Sequence, residues 1–301
     1  MFGPGTAVAV RLLDIERALP ALEGVALELE DCAFPLLSSV MITAKPEEAF
    51  DGTSWALLVG GTARRRGMAR GDLLAANGGI FCPLGRAIAD HAAADVRVFV
   101  VANPANINCL IARAGGRDVP DDRWFGMTRL DENRARTQLA KKAGVPVETV
   151  TNIAIWGNHS ATQYPDGHHA RIGGRPAPEV ISDHEWLYGE FVSIVQRRGA
   201  SVIAAGGRPA AGSCASAIID SVRSIHRGTS PGDWTSLAVI GHGEYGIPDG
   251  LVFGYPVRCD GFGWQVVEDL EHDAAAQARL RITTDELLRE RAIAQQLVLS
   301  R

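Results

Sequence analysis

A chain of 301 residues with 46% hydrophobic and 22% charged side chains has enough apolar material for a packed core, and its length predicts two domains of about 100–200 residues or one large α/β domain. A formal net charge of −5 gives no global attraction to phosphate polymers or anionic lipid, so neither nucleic acid nor a membrane is an expected partner. Five scattered cysteines without a C-x-x-C pair, and no apolar run approaching roughly 18 residues, argue against a metal site, a disulfide framework or a membrane span and fit a reducing, cytoplasmic setting.

Residues 8–13 form an apolar run that predicts a strand ending at Asp14, and Leu19, Leu22, Val25, Ala26 and Leu29 then recur at helical spacing. That stripe suits a partner helix in a homodimer or packing within the monomer. Residues 55–59, ending at Gly60 and Gly61, and residues 96–101, ending at Asn103 and Pro104, read as buried strands separated by a helical stretch over 72–92. Such alternation predicts a parallel sheet with crossover helices. Beyond residue 127 the texture changes. Thr128 with Asp131 has capping-box spacing and opens a helix that Gly144 stops; 152–156 is a short strand; Ser182 with Glu185 opens a long helix that Gly199 bends. Strands and turns follow over 234–270, then a last helix after Thr284. The expected architecture is α/β, a Rossmann-type sheet over 1–127 followed by an α+β domain over 128–301.

Polar residues gather at the ends of these apolar elements, where open α/β proteins bind ligands. Asp14 either caps the next helix or accepts from both hydroxyls of a ribose, its charge favouring NAD over NADP. Arg64, Arg65, Arg66 and Arg70 are either a solvated face or planar forks that grip carboxylates. Asp131 and Arg134 share a helix face, which a surface ion pair alone would explain. His159, in the loop 157–160 at a strand end, is either structural or a proton carrier, because an imidazole titrating near ~6.5 gives and takes a proton at neutral pH and a carboxylate such as Asp131 can fix its tautomer. Asn103 is either turn chemistry or a donor to substrate or cofactor. The stretch 241–246 matches G-x-G-x-x-G, but Pro248, Asp249 and Gly250 follow, so no helix opens there to hold a pyrophosphate.

Taken together, 12–15 (LLDI), 22–25 (LEGV), 64–70, 103–106 (NPAN), 130–135 (LDENRA) and 156–160 (WGNHS) through 163–165 (QYP) resemble the NAD-dependent malate dehydrogenases, in the cytosolic-type branch of the lactate and malate dehydrogenase family. The resemblance covers nearly the whole chain. It implies that His159 takes the malate hydroxyl proton, that Asp131 orients it, and that Arg134 grips the substrate carboxylate. It further implies that Arg64 reads the second carboxylate of a dicarboxylate substrate, that Arg70 polarises the oxaloacetate carbonyl, and that Asn103 touches substrate. Asp14, Asn77, Val101 and Asn103 would surround NAD, in a homodimer.

The departures are equally specific. The family opens with a strand, a glycine-rich phosphate loop and a helix, and this sequence starts beyond them, so the expectation is two unpaired strand edges in mid-sheet and no backbone cradle for a pyrophosphate. Leu84, Ser216 and Gly241 stand where the family has Gln, Asn and Ser. Two rival readings follow: a related 2-hydroxy-acid dehydrogenase, and a non-catalytic fragment unable to bind NAD.

Overall fold

A computed structural model describes residues 2–62 and 70–298. The first half runs β1 (Val8–Leu13), α1 (Leu19–Asp31), β2 (Leu37–Thr43), α2 (Pro46–Phe50), β3 (Trp55–Leu58), α3 (Arg70–His91), β4 (Arg97–Val100), α4 (Ala105–Gly115) and β5 (Trp124–Gly126). Then come α5 (Arg129–Ala143), β6 (Val150–Thr151), β7 (Ala154–Trp156), β8 (Tyr164–Asp166), β9 (Arg171–Ile172), β10 (Arg175–Pro176) and α6 (Ala177–Val180). A π-helical turn, Trp186–Glu190, leads into α7 (Phe191–Gly206), followed by α8 (Gly212–Arg227), β11 (Thr235–Ile240), β12 (Val252–Cys259), β13 (Trp264–Val266) and α9 (Ala274–Val298). The α/β reading therefore stands.

One six-stranded sheet, in the order β13-β12-β11-β5-β4-β3, forms the backbone of the molecule. Its β3, β4 and β5 are parallel, while β11 joins β5 antiparallel at Ala238 and Gly126, where a Cβ on Gly126 would come within 3.1 Å of the Ala238 side chain. In β4, Val98, Phe99 and Val100 are wholly buried, as a strand covered on both faces must be. β1 and β2 form a separate parallel pair. Among the described residues no hydrogen bond joins β1 to β3, and the two strands line one cavity of about 1720 Å³.

Several expected element boundaries are corrected. Neither proposed capping box forms: Asp131 N donates to the Thr128 carbonyl at 3.0 Å rather than to its hydroxyl, the Asp131 side chain is drawn to Arg134 and His159, and the turn before α7 is capped by Asp183, whose Oδ1 accepts from Trp186 N at 3.0 Å. The helix α7 runs unbroken through Gly199. The last helix begins well before Thr284, because Asp273 Oδ1 accepts from Ala276 N at 2.7 Å and caps it there. The stripe on α1 contains no buried residue, so it is not core within this chain.

Helices α3 and α4 meet backbone to backbone. A Cβ on Gly85 would lie 1.8 Å from the Ala112 carbonyl oxygen, and one on Gly115 would lie 2.0 Å from that of Cys82, so neither position has room for a side chain. Gly85→Ala should therefore destabilise the protein by about 1–3 kcal/mol or more. Gly79→Ala, on the same helix with nothing within 4 Å of the added carbon, should be neutral or stabilising by up to ~1 kcal/mol. Urea denaturation midpoints of the two variants check this contrast.

Candidate active site

Asp131 lies on the first turn of α5 with Arg134 one turn further along. Its carboxylate is wholly buried. Arg134 Nη1 donates to Oδ1 at 2.7 Å, and His159 Nδ1 makes a very short contact with Oδ2. Gln163 also hydrogen-bonds this carboxylate. Burial alone would push the Asp131 carboxyl up, but the His159 charge and hydrogen bond, with Arg134 behind them, outweigh it and hold the group below the usual carboxylate range. Asp131 is therefore a fixed negative charge shared by an imidazole and a guanidinium.

The loop carrying His159 leaves β7 through Gly157, whose φ of +92° suits glycine. A Cβ there would also strike Thr283 of α9 at 2.2 Å. Gly157 exchanges backbone hydrogen bonds with Gly254 of β12 at 3.0 and 2.8 Å, and His159 N donates to Asn106 Oδ1 at 2.9 Å. The Asn106 amide returns two bonds, to Gly157 O at 3.2 Å and Val252 O at 2.9 Å. On the far side a single carboxylate oxygen, Glu286 Oε2, accepts from Asn158 Nδ2 at 2.8 Å, Ser160 Oγ at 2.5 Å and Thr162 Oγ1 at 2.6 Å. His159 is thus clamped between α4, α5, β12 and α9.

Three further candidates sit at the ends of β1 and β4, and a fourth, Asn77, on α3. Asp14 is exposed at the tip of β1, and its Oδ1 accepts from Ile15 N at 2.8 Å. Val101 is buried beyond β4, and its N–H donates to Leu58 O at 2.9 Å. Asn103 is exposed, and its carbonyl accepts from Asn77 Nδ2 at 3.4 Å. Asn77 itself is wholly buried, and its Oδ1 takes Thr62 N at 2.9 Å, so its amide ties the exits of β3 and β4 together. Arg64 lies outside the described residues; Arg70 opens α3, with its side chain outside them.

For a dinucleotide these residues fit at both ends. Asp14 offers a carboxylate to ribose hydroxyls at the exit of β1. Gly61, where a Cβ would press on Ala102 at 3.2 Å and Asn77 at 3.5 Å, keeps the floor between β3 and β4 close and low. Among the described residues no helix N-terminus stands between these ends as a pyrophosphate cradle. The cavity of about 1720 Å³ reaches Asp14 and Gly60 to Thr62 but does not include His159, Asp131 or Arg134.

Sequence reasoning missed Asn106, Asn158, Gln163 and Glu286. Asn106 and Gln163 stood inside motifs already singled out. Glu286, on an amphipathic C-terminal helix, carried no local signal.

Comparison with known proteins places this geometry. Residues 3–126 match the lactate/malate dehydrogenase NAD binding domain and residues 128–297 the lactate/malate dehydrogenase alpha/beta C-terminal domain. Malate dehydrogenase from Naegleria fowleri is 40% identical, covering 99% of this chain and 91% of its own, with a TM-score of 0.94. Lactate dehydrogenase from Trichomonas vaginalis, solved with NADH and oxamate, is 31% identical over 99% of this chain and 92% of its own, with a TM-score of 0.93. Malate dehydrogenase from Salinibacter ruber is 26% identical over 97% and 90% of the two chains, with a TM-score of 0.81.

A second buried carboxylate supports the loop from below. Asp166 on β8 accepts from Trp156 Nε1 at 3.2 Å and from the backbone of His168 at 2.9 Å, and it pairs with His169 Nδ1 at 2.7 Å. Burial works against both charges; the ion pair nevertheless holds Asp166 below, and His169 above, their ordinary ranges. A raised histidine contributes stability in full below about 6.5 and loses it as pH climbs through its folded value, whereas a lowered aspartate loses its contribution only in acid, below about 4. The wild type should therefore lose stability above pH ~6.5 more steeply than His169→Ala, which should itself be weaker at pH 6 by roughly 1.5–3 kcal/mol. Denaturation midpoints at pH 6 and pH 9 measure both effects.

Proposed function

The chain belongs to the lactate/malate dehydrogenase family, and from that premise we propose that it oxidises L-malate reversibly to oxaloacetate. It is an NAD-dependent dehydrogenase by the domains it contains. The observation that carries the substrate-level reading is the Asp131 carboxylate, engaged at once by His159 and Arg134. The 40% identity to a malate dehydrogenase supports malate over lactate.

The chemistry follows from that shared carboxylate. Because Nδ1 faces Asp131, the ring donates its Nδ1 proton to the carboxylate and keeps Nε2 as the acceptor for a substrate hydroxyl proton. The positive charge that then develops on the ring lies against a buried anion whose environment is already organised, so little reorganisation accompanies the transfer. Arg134 spends one nitrogen on Asp131, which fixes the plane of its fork and leaves its remaining N–H groups to hold a substrate carboxylate next to the imidazole. Asp14 would hold the ribose of NAD and Val101 and Asn103 its nicotinamide end, and the cofactor would supply the hydride acceptor. Arg64 reads the distal carboxylate and Arg70 the carbonyl oxygen.

His159→Gln should reduce kcat by about 10²–10⁴-fold while substrate KM moves little, since it removes the proton acceptor. Asp131→Asn should reduce it comparably, by donating to the ring and disfavouring the productive tautomer. Steady-state kinetics with malate and NAD test both, and near-normal turnover in either variant contradicts the mechanism. Arg64→Gln should narrow the preference of kcat/KM for oxaloacetate over pyruvate by about tenfold or more. An unchanged ratio removes Arg64 from substrate selection.

A further inference from the structure

The residues on either side of His159 are tied to one helix, α9. Asn158 N donates to Thr283 Oγ1 at 2.8 Å, and the Asn158 and Ser160 side chains donate to Glu286 Oε2 at 2.8 and 2.5 Å. Thr162 Oγ1 reaches both acceptors, Thr283 Oγ1 at 3.1 Å and Glu286 Oε2 at 2.6 Å. Thr283 and Glu286 are three residues apart on the helix and so share the face laid against the loop. The His159 N–H goes instead to Asn106 on α4, and its ring to Asp131 on α5. The backbone of the proton carrier is thus fixed before and after by α9, while its side chain is left to meet the buried anion.

Negative charge is what makes one oxygen of Glu286 hold three donors. Hydrogen bonds to an ionised acceptor are shorter than neutral ones and roughly twice as strong. The Ser160 and Thr162 hydroxyls lie 3.0 Å apart and either can donate to the other, yet both lie within donating reach of the carboxylate. With a neutral group in its place, one hydroxyl can turn to its neighbour and release the helix. A glutamine there would also set an NH₂, which only donates, among groups that are themselves donors. Glu286 is half-buried, so its charge is screened less than that of an exposed side chain.

We propose that Glu286 is a positioning residue for the reaction: its charge, acting through Asn158, Ser160 and Thr162, holds the His159 backbone where the ring engages Asp131 and faces the substrate hydroxyl. An error of about 1 Å in the place of a reacting group costs on the order of 10²-fold in rate, so a looser loop slows proton transfer. Substrate affinity is spared, because Arg134, which grips the carboxylate, is held by Asp131 at 2.7 Å and not by the loop. The kinetic half of this inference rests on the malate reading above; the effect on the His159–Asp131 pair does not.

The test compares the full-length wild type with Glu286→Gln, with the double variant Ser160→Ala/Thr162→Val, and with the three substitutions combined, rates being normalised to folded protein by circular dichroism. Glu286→Gln should lower kcat for malate about tenfold or more while KM stays within about twofold. The same substitution should cost less than about threefold in the Ser160→Ala/Thr162→Val background, where the charge has lost two of its three connections to the loop. The proton between His159 Nδ1 and Asp131 should give a far-downfield NMR resonance in the wild type, identified by its absence from His159→Gln, and that resonance should shift or broaden in Glu286→Gln. If Glu286→Gln does not fold, Ser160→Ala takes its place, with the same split between kcat and KM and the same change in the resonance at about a third of the size. The proposal is overturned by an unchanged kcat, by KM rising as much as kcat falls, by equal losses in the two backgrounds, or by a resonance that is missing from the wild type or unaltered in the variant. A wild type that oxidises neither malate nor lactate defeats the functional reading alone, and the resonance then decides the role of Glu286.

Discussion

A buried charge must be answered by other charges or by hydrogen bonds, and here that requirement organises the site around Asp131. The carboxylate has no contact with water and meets an imidazole, a guanidinium and an amide. Each partner comes from a different place in the sequence, so satisfying one anion brings α5, the loop after β7 and the segment entering β8 into one arrangement. The energetic logic and the chemical logic coincide: the group that most needs partners is the one that sets the tautomer of the proton carrier.

The same economy governs the loop itself. Three side chains on successive turns of that loop converge on one oxygen of Glu286, and Asn106 binds it from the opposite side. Loops ordinarily carry function at the cost of order. This one carries an imidazole and is held nearly as firmly as a strand, partly because Gly157 and Gly254 allow two backbones to approach to hydrogen-bonding distance.

What could be read in advance follows from where the signal is local. The strand β1 occupies the same residues as its apolar run, and α3 and β4 lie within a residue or two of expectation, because periodicity and flanking polar residues sit in the same short window. The strand β2 carries Ser38 and Ser39 within it and escaped notice; α4 begins directly behind Pro104, which reads as a turn; and α8 opens on Gly212, Ser213 and Cys214, none of which advertises a helix. Capping boxes failed where the side chains had stronger partners elsewhere. Asp131, Arg134 and His159 were legible as chemistry, and the structure brings them together. Glu286 was not, because an acceptor on a remote helix is defined only by the donors that folding delivers to it.

The antiparallel seam between β5 and β11 has its own implication for how the molecule can move. Because the hydrogen-bonded sheet spans the residues on either side of position 127, swinging the halves apart like the jaws of a clamp would break the pairing of Gly126 with wholly buried Ala238. A route for ligands along the rim of the sheet leaves that buried pairing intact.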